Sequence, residues 1–250
     1  METVLGRAAL SPDHGPAFVV VGVFDGIHLG HAYLLEQLVR VAGEHKARPM
    51  VITFDAHPDA VLTGHAPALL MDPHERLERL AAAGIETVVI EHFDDALRLT
   101  TYDDFVRSIA SRCWLAGILM TPDAAFGHER AGTPATLAAL GARDGFDVVV
   151  VPPFALDGRE VRSSEIRAAI AAGNLAAAAA LLGRPYAVVG DADASGRVTF
   201  PMPVALPPPG EFAIAGGAPG RVTDAATIEL RAATAPGRVR LEFPPSHPGD

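Results

Sequence analysis

The 250-residue sequence contains one cysteine and lacks any long uninterrupted run of apolar residues. The single cysteine, Cys113, excludes an intrachain disulfide framework and favours a reducing compartment. No apolar run approaches the roughly 18–20 residues that a membrane-spanning helix requires. The N-terminal residues also lack the basic-then-apolar pattern of a secretory signal. From these absences we expect a cytoplasmic protein without a membrane partner.

Basic residues are also in deficit. The 20 Lys and Arg residues stand against 30 Asp and Glu residues, which gives a formal net charge of −10 at pH 7. Proteins that bind DNA or RNA through phosphates usually carry a basic surplus, so we expect no nucleic acid partner. A small polyanion can still bind where a few basic groups and backbone amides converge. Apolar residues make up 49% of the chain, which is enough for a sizeable core.

Short apolar runs alternate with helical patterns through residues 15–186. The predicted strands cover residues 17–23, 49–54, 86–93, 117–120 and 147–154. The predicted helices run from His31 to about Glu44, from the cap Asp72 to Gly84, over 102–115, and from Ser163 or Ser164 to Leu182 with a break near Gly173. This alternation predicts the α/β class, with a Rossmann-like, doubly wound parallel sheet.

The composition changes after Tyr186, where proline and glycine become frequent and helical periodicity ends. Short β-like runs remain at residues 197–204, 212–215, 227–232 and 238–243. We therefore predict one large domain over residues 1–186 and a small β module over residues 187–250.

Two histidines flank a glycine where the first predicted strand is followed by a helix. Ligands of doubly wound sheets bind at the carboxyl ends of strands, and a helix N-terminus offers N–H groups and partial positive charge to a phosphate. His28 and His31 can face one phosphate group, and Gly30 lets the backbone approach closely. Gly26 suits a turn with positive φ. The alternative is that the histidines only cap or pack the helix start. The zinc-binding HExxH pattern is absent.

The segment of residues 22–31, GVFDGIHLGH, resembles the first motif of the bacterial bifunctional riboflavin kinase/FAD synthetase family, in its adenylyltransferase module. HxGH alone is shared by the wider nucleotidyltransferase superfamily, and the preceding Phe24-Asp25-Gly26 narrows the resemblance. Residues 181–186, LLGRPY, match the segment that joins the two modules of that family. The resemblance covers about residues 17–186.

Three further segments carry the resemblance in order. Residues 53–58, TFDAHP, resemble the family's TFDPHP; residues 123–132, DAAFGHERAG, resemble a flavin and nucleotide loop; and residues 161–167, VRSSEIR, resemble VSSTxIR. The second segment departs from the family at Ala124 and Ala125, and the third at Arg162 and Ser164. The alternatives for single residues are a turn hydrogen bond for His57, a core anchor for Phe126 and a simple helix cap for Ser163.

The resemblance implies a role for each matching residue. The catalytic set is His28, His31 and Arg167; the nucleotide-binding set is Phe24, Asp25, Gly26, Gly30, Ser163 and Ser164; and the flavin or acceptor set is His57, Asp123, Phe126 and Arg130. The reaction implied is the transfer of an adenylyl group from ATP to FMN, which gives FAD and pyrophosphate. Mg²⁺ is expected to enter with ATP, and no protein ligand for it can be named. Asp25 is a candidate, and the alternative is that Asp25 only fixes the loop.

The resemblance fails in the C-terminal segment. The kinase half of the family carries GRxxGFPTAN, whereas residues 196–204 read GRVTFPMPV, with Met202 and Val204 at the positions of the threonine and asparagine. We therefore expect no riboflavin kinase activity. Two alternatives stay open: an adenylyl- or cytidylyltransferase that acts on another phosphorylated small molecule, and a non-catalytic homologue that binds a nucleotide or flavin.

Overall fold

The computed structural model describes residues 1–217, 219–231 and 235–246. The chain forms two compact units. The first unit comprises Met1–Phe24, His31–Pro67 and Leu77–Phe154, and the second comprises Asp25–Gly30, Ala68–Arg76 and Ala155–Asp250. The predicted domain boundary at residue 186 stays a prediction.

The first unit is built on a six-stranded parallel sheet. The strands are β1 (Glu2–Leu5), β2 (Ala17–Val21), β3 (Arg48–Phe54), β4 (Thr87–Glu91), β5 (Leu115–Met120) and β6 (Asp147–Val150). Their order is β1-β4-β3-β2-β5-β6, and every pair is parallel. After β2 the chain adds β3 and β4 on one side and then β5 and β6 on the other. The doubly wound sheet is thus confirmed, with its switch point at the carboxyl ends of β2 and β5.

Helices alternate with these strands. They are α1 (Leu29–Glu44), α2 (Asp59–Leu62), α3 (Pro73–Ala82), α4 (Asp95–Leu99), α5 (Tyr102–Ala110) and α6 (Pro134–Asp144). The predicted cap of α3 is confirmed, because Asp72 Oδ1 accepts hydrogen bonds from the amides of His74 and Glu75. The helix predicted to begin at His31 begins at Leu29 instead, and the helix predicted to end at residue 115 ends at Ala110.

Strand β1 was not predicted from the sequence. It pairs with β4 at the edge of the sheet, and of its four residues only Val4 is buried. A short edge strand with one buried side chain has no apolar run to reveal it. The sheet therefore begins before residue 15, and its last strand ends at Val150 rather than 154, just before Pro152 and Pro153.

The second unit contains two helices, a hairpin and a second sheet. The predicted long helix is divided as expected into α7 (Ser163–Ala171) and α8 (Leu175–Leu182). Gly173 between them has φ +73°, and Asn174 Oδ1 caps α8 through the amide of Ala177. The short hairpin of β7 (Ala155–Leu156) and β8 (Arg159–Glu160) turns at residues 157–158, as predicted.

The second sheet is antiparallel. Its strands are β9 (Tyr186–Ala192), β10 (Arg197–Thr199), β11 (Gly210–Phe212), β12 (Gly220–Val222), β13 (Ile228–Leu230) and β14 (Gly237–Phe243), in the order β11-β12-β13-β10-β9-β14. The sheet curls into a half-barrel, since the amide of Ala215, just after one edge strand, bonds to Glu242 O of the other edge strand. The sequence pattern missed β9 and β12. Ala232, the end of one predicted run, lies outside the described residues.

Among the residues that the structure describes, none of the helices has both the length and the apolar character needed to cross a membrane.

Candidate functional site

The loop that follows β2 has an unusual backbone. Phe24, Gly26 and Ile27 have φ values of +53°, +85° and +37°. The prediction of a positive φ at Gly26 is confirmed. A Cβ atom on Gly26 would also lie 3.1 Å from two side-chain carbons of Leu70, so this position combines a left-handed conformation with a close contact.

Asp25 fixes this loop within the second unit. Its carboxylate is buried and accepts the amide of Leu70 at 3.0 Å from each oxygen. Arg167 Nη2 lies 2.5 Å from Asp25 Oδ2, and Arg167 Nε donates to Ala68 O at 2.7 Å. Burial raises the pKa of Asp25, while the Leu70 amide and Arg167 oppose this shift. Asp25 therefore anchors the loop and Arg167 together.

Arg184 is a second anchor of the loop, and sequence reasoning gave it no role. Its Nη1 donates to Ile27 O at 2.9 Å and to Leu182 O at 3.2 Å, and its Nη2 donates to Gly26 O at 2.5 Å. One guanidinium thus ties two consecutive loop carbonyls to the end of α8. The signal was present, since Arg184 is the arginine of the LLGRPY segment, but the sequence suggested only a linker there.

His28 is buried beside these arginines, with 5% of its surface exposed. Burial, followed by the positive charges of Arg184 and Arg167, lowers the pKa of His28 to about 4. The imidazole is therefore neutral at pH 7. A Cβ atom on Gly30 would lie 3.1 Å from the His28 ring and 3.1 Å from Val161 O, so glycine makes room for both.

Two helix starts lie close together at Gly30. Helix α1 begins at Leu29, and α7 begins two residues after Val161, whose carbonyl approaches Gly30. The N-cap of α7 is Arg162, which makes no side-chain cap hydrogen bond. The alternative of Ser163 as the cap is therefore wrong: it is the first helical residue, and its hydroxyl donates to Asp25 O at 3.3 Å. Amides at helix starts favour bound anions.

Ser164 is exposed on the first turn of α7, next to Ser163. The side chain of Arg162, a departure from the family pattern, pairs with Glu160 at 2.7 Å. The second unit thus brings together four of the residues predicted to bind phosphate: His28, Ser163, Ser164 and Arg167.

His31 belongs to the first unit and is the third residue of α1. Its ring lies 5.1 Å from the ring of Phe24, measured between centroids and tilted by 50°. Phe24 is only 1% exposed, so it packs beneath His31 as a hydrophobic support. Its predicted contact with the nucleotide stays a prediction.

His57 and its neighbours follow β3 in the first unit. The amide of Asp59 donates to His57 Nδ1 at 3.2 Å, so the turn hydrogen bond weighed as the alternative is present. Nearby, His92 Nδ1 lies 2.6 Å from Asp55 Oδ2, a pair that was not predicted. The hydrogen bond to Asp55 raises the pKa of His92. Burial acts to raise the pKa of Asp55, but His92 and backbone amides hold it below its usual value.

The loop after β5 carries the remaining predicted acceptor residues. Thr121 Oγ1 donates to the Asp123 carboxylate at 2.9 Å, and Arg130 Nη2 donates to Asp123 O at 3.3 Å. Phe126 is half-buried and its ring lies 5.4 Å from that of Phe105 in the core. Phe126 therefore packs against the core, as the alternative interpretation expected. Its stacking on a ligand stays a prediction.

Within the described ranges, no group of three or more His, Cys, Asp or Glu side chains could hold a metal ion. The carboxylate of Asp25, the candidate raised by the sequence, is already bonded to Leu70 and Arg167. Among the described residues, the candidate raised by the sequence is therefore already engaged in fixing the loop.

Three comparisons relate the chain to known proteins. The family model described as FAD synthetase matches residues 10–165. The bifunctional riboflavin kinase/FMN adenylyltransferase of Haemophilus influenzae is 32% identical over 174 residues, covering 69% of this chain and 56% of that protein. The protein of the same name from Escherichia coli K12 is 32% identical over 194 residues, covering 76% and 62%. The chain thus spans less than two thirds of the length of these curated relatives.

A solved structure extends the likeness of the fold over nearly the whole chain. A Streptococcus pneumoniae protein, described as a macrolide-efflux protein, matches 97% of this chain and 98% of its own, with a TM-score of 0.81 and 22% identity. The fold of the matched structure therefore includes counterparts of both the parallel sheet and the antiparallel sheet.

Proposed function

We propose, because this chain belongs to the FAD synthetase family, that it transfers the adenylyl group of ATP to FMN and releases pyrophosphate. The observation that supports this most directly is the set of contacts in the second unit. There the loop that follows β2 carries the buried His28, and its Asp25 is bonded to Arg167 and Ser163 at the start of α7. That combination of donors suits a phosphate chain.

The proposed chemistry needs no general base. The FMN phosphate is ionised at pH 7 and can attack the α-phosphorus of ATP directly, so catalysis consists of positioning and charge stabilisation. We assign His28 and His31 to the α-phosphate. Because the pKa of His28 is about 4, its neutral imidazole can donate a ring N–H to an oxygen that gains negative charge.

The phosphates that leave are assigned to α7. Ser163, Ser164 and Arg167 lie in its first two turns, where amides and the helix dipole favour negative charge. Phe24, Asp25, Gly26 and Gly30 shape the backbone that the nucleotide approaches. Mg²⁺ is proposed to arrive as part of the substrate, bound by phosphate oxygens and water.

The acceptor assignments are His57, Asp123, Phe126 and Arg130. They lie in the segments that follow β3 and β5 of the first unit, with Arg130 at the end of a short 3-10 helix. One observation favours a different acceptor. Ala124, where the family has an aromatic residue, packs against the core cluster and offers no ring to a flavin. A phosphorylated acceptor other than FMN is therefore the second candidate.

We propose that riboflavin kinase activity is absent and that residues 187–250 form a β module without that activity. Val204, at the position of the kinase asparagine, forms a β-bridge with Leu69. Met202, at the position of the threonine, is 38% exposed and supplies no hydroxyl group.

The test is incubation of the purified protein with ATP, Mg²⁺ and FMN, followed by chromatography for FAD. FAD formation is expected, and riboflavin with ATP should give no FMN. Pyrophosphate release with a different phosphorylated acceptor, but not with FMN, would replace the acceptor. Tight ATP binding without pyrophosphate release from any acceptor would favour the non-catalytic homologue and contradict the proposal.

A further inference from the structure

The segment between β10 and β11 holds three residues, 68–70, that lie more than 130 positions earlier in the sequence. The amide of Leu69 donates to Pro203 O at 2.8 Å, and the amide of Ala205 donates to Leu69 O at 2.8 Å. Leu69 and Val204 form a parallel β-bridge. Residues 203–205 include the position where the kinase motif of the family has been lost.

The two neighbours of Leu69 hold the proposed phosphate site. Ala68 O accepts from Arg167 Nε at 2.7 Å, and the amide of Leu70 donates to both carboxylate oxygens of Asp25 at 3.0 Å. Leu69 thus bonds to residues 203–205, while Ala68 and Leu70 on either side bond to the Asp25–Arg167 pair. A displacement of residues 203–205 would therefore shift Leu69, and with it the backbone groups of Ala68 and Leu70 that bond to Arg167 and Asp25.

The contact between residues 203–205 and residues 68–70 is buried and is supported by neighbouring side chains. Tyr186 in β9 is 1% exposed, and its hydroxyl donates to Ala205 O at 2.5 Å. Leu70 and Ala205 belong to the same hydrophobic cluster. At the next residues of the segment, Arg238 of β14 lies 2.6 Å from Asp72, which is 12% exposed. Close packing of this kind fixes the position of a segment more precisely than a solvent-exposed loop would be fixed.

We propose that residues 203–205 are a positioning element for adenylyl transfer, acting through residues 68–70 on Asp25 and Arg167. This inference rests on the proposed function and gives the C-terminal module a role in the transferase reaction. Catalytic groups must be held within about 0.5 Å of the productive geometry, and misplacement by about 1 Å can cost about 10²-fold in rate. The positioning element carries no group that touches substrate.

The experiment uses the full chain and the variant Ala205→Pro, which removes the N–H that donates to Leu69 O. The matched control is Ala205→Ser, which keeps this N–H and nearly the same size. A second control is Ile228→Ala in β13, a fully buried residue of the same cluster that lies outside the segment contacts. Ile228→Ala should destabilise the second sheet and leave the hydrogen bonds of Leu69 to Pro203 and Ala205 in place. It therefore separates an effect on positioning from a general loss of stability.

Two measurements are made on each variant: hydrogen exchange of the Leu69 and Leu70 amides, and kcat and KM for ATP and FMN separately. In Ala205→Pro we expect protection of both amides to fall and KM for ATP to rise about tenfold, with KM for FMN unchanged. Ile228→Ala is expected to lower the melting temperature and leave the ratio of the two KM values as in the unmodified chain.

The inference is overturned if Ala205→Pro keeps the amide protection and the KM for ATP of Ala205→Ser, or if Ile228→Ala raises the KM for ATP as much as Ala205→Pro does. If Ala205→Pro fails to fold, Tyr186→Phe removes one bond to Ala205 O and is judged by the same criteria. If the unmodified chain makes no FAD, the proposed function fails, whereas the amide protection still decides whether residues 203–205 hold residues 68–70.

Discussion

Arg167 and Asp25 form an ion pair of 2.5 Å, although 142 residues separate them in sequence. Asp25 lies in the loop after β2, and Arg167 lies in the second turn of α7. The carboxylate is 4% exposed and the guanidinium side chain is 20% exposed, so water screens the pair only weakly. The loop with the HxGH motif and helix α7 are therefore joined by this ion pair as well as by the hydroxyl of Ser163, which donates to Asp25 O.

The first prediction concerns this pair. Asp25→Ala leaves the Leu70 amide and the Arg167 guanidinium without their buried acceptor oxygens, so the free energy of unfolding should fall by about 2–4 kcal/mol. Urea unfolding at pH 7 measures the change. The matched control is Glu44→Gln, which breaks the exposed pair with Arg40 and should cost less than about 0.5 kcal/mol. Equal losses in the two variants would mean that the Asp25–Arg167 pair contributes nothing specific.

The second prediction concerns His31. His31→Ala should lower kcat for FAD formation by about 10²–10³, because it removes one donor aimed at the developing charge. The melting temperature should fall only slightly, since the ring contact with Phe24 that is lost is a single tilted packing contact. The exposed His65 provides the control, and His65→Ala should leave kcat unchanged. Turnover in His31→Ala equal to that of the control would remove His31 from the catalytic set.

The sequence predicted the parallel sheet well because its signals are local. The apolar run of β2 and the break at Gly173 can each be recognised from a few neighbouring residues. The role of Asp25 could not be decided in this way. Its partners Leu70 and Arg167 lie 45 and 142 residues away, and only folding brings them to the loop. Sequence reasoning therefore left metal binding and loop fixing open, and the structure favours loop fixing.

Arg184 and β1 show two other reasons for incomplete prediction. Arg184 binds backbone carbonyls 157 and 158 residues away, and a carbonyl acceptor carries no residue-type signal. Strand β1 is defined by its pairing with β4 rather than by its own pattern. Both features depend on tertiary contacts, which override local propensity.

The third prediction separates two effects of Arg184. Arg184→Lys keeps the positive charge but cannot reach two loop carbonyls from two nitrogens, whereas Arg184→Met loses both the charge and the hydrogen bonds. The value of kcat/KM for ATP should fall about tenfold or more in both variants. The pKa of His28, followed by NMR, should rise in Arg184→Met, because one of the charges that lower it is gone, and should change less in Arg184→Lys.

The control for these variants is Arg221→Lys, on an exposed position of β12. It should change neither kcat/KM nor the pKa of His28. A normal kcat/KM in Arg184→Lys would show that the charge alone suffices and that the hydrogen bonds to Gly26 and Ile27 do not position the loop.

The last prediction concerns pH and His28. Its pKa is about 4 in the folded chain and about 6.5 in the unfolded chain, mainly because burial disfavours the charged ring. Between these values the unfolded chain binds a proton that the folded chain does not, so the free energy of unfolding falls as the pH falls from 6.5 towards 4. At about 1.4 kcal/mol per pKa unit, the contribution lost between pH 7.5 and pH 5 is about 2 kcal/mol.

The measurement is urea unfolding of the unmodified chain and of His28→Gln at pH 7.5 and pH 5. The glutamine cannot titrate, so the unmodified chain should lose about 2 kcal/mol more than the variant on acidification. Comparing the two proteins cancels the opposite contribution of Asp25, whose raised pKa favours the folded chain at low pH. Equal losses in the two proteins would show that His28 is protonated as easily in the fold as in water, which contradicts its burial beside Arg184 and Arg167.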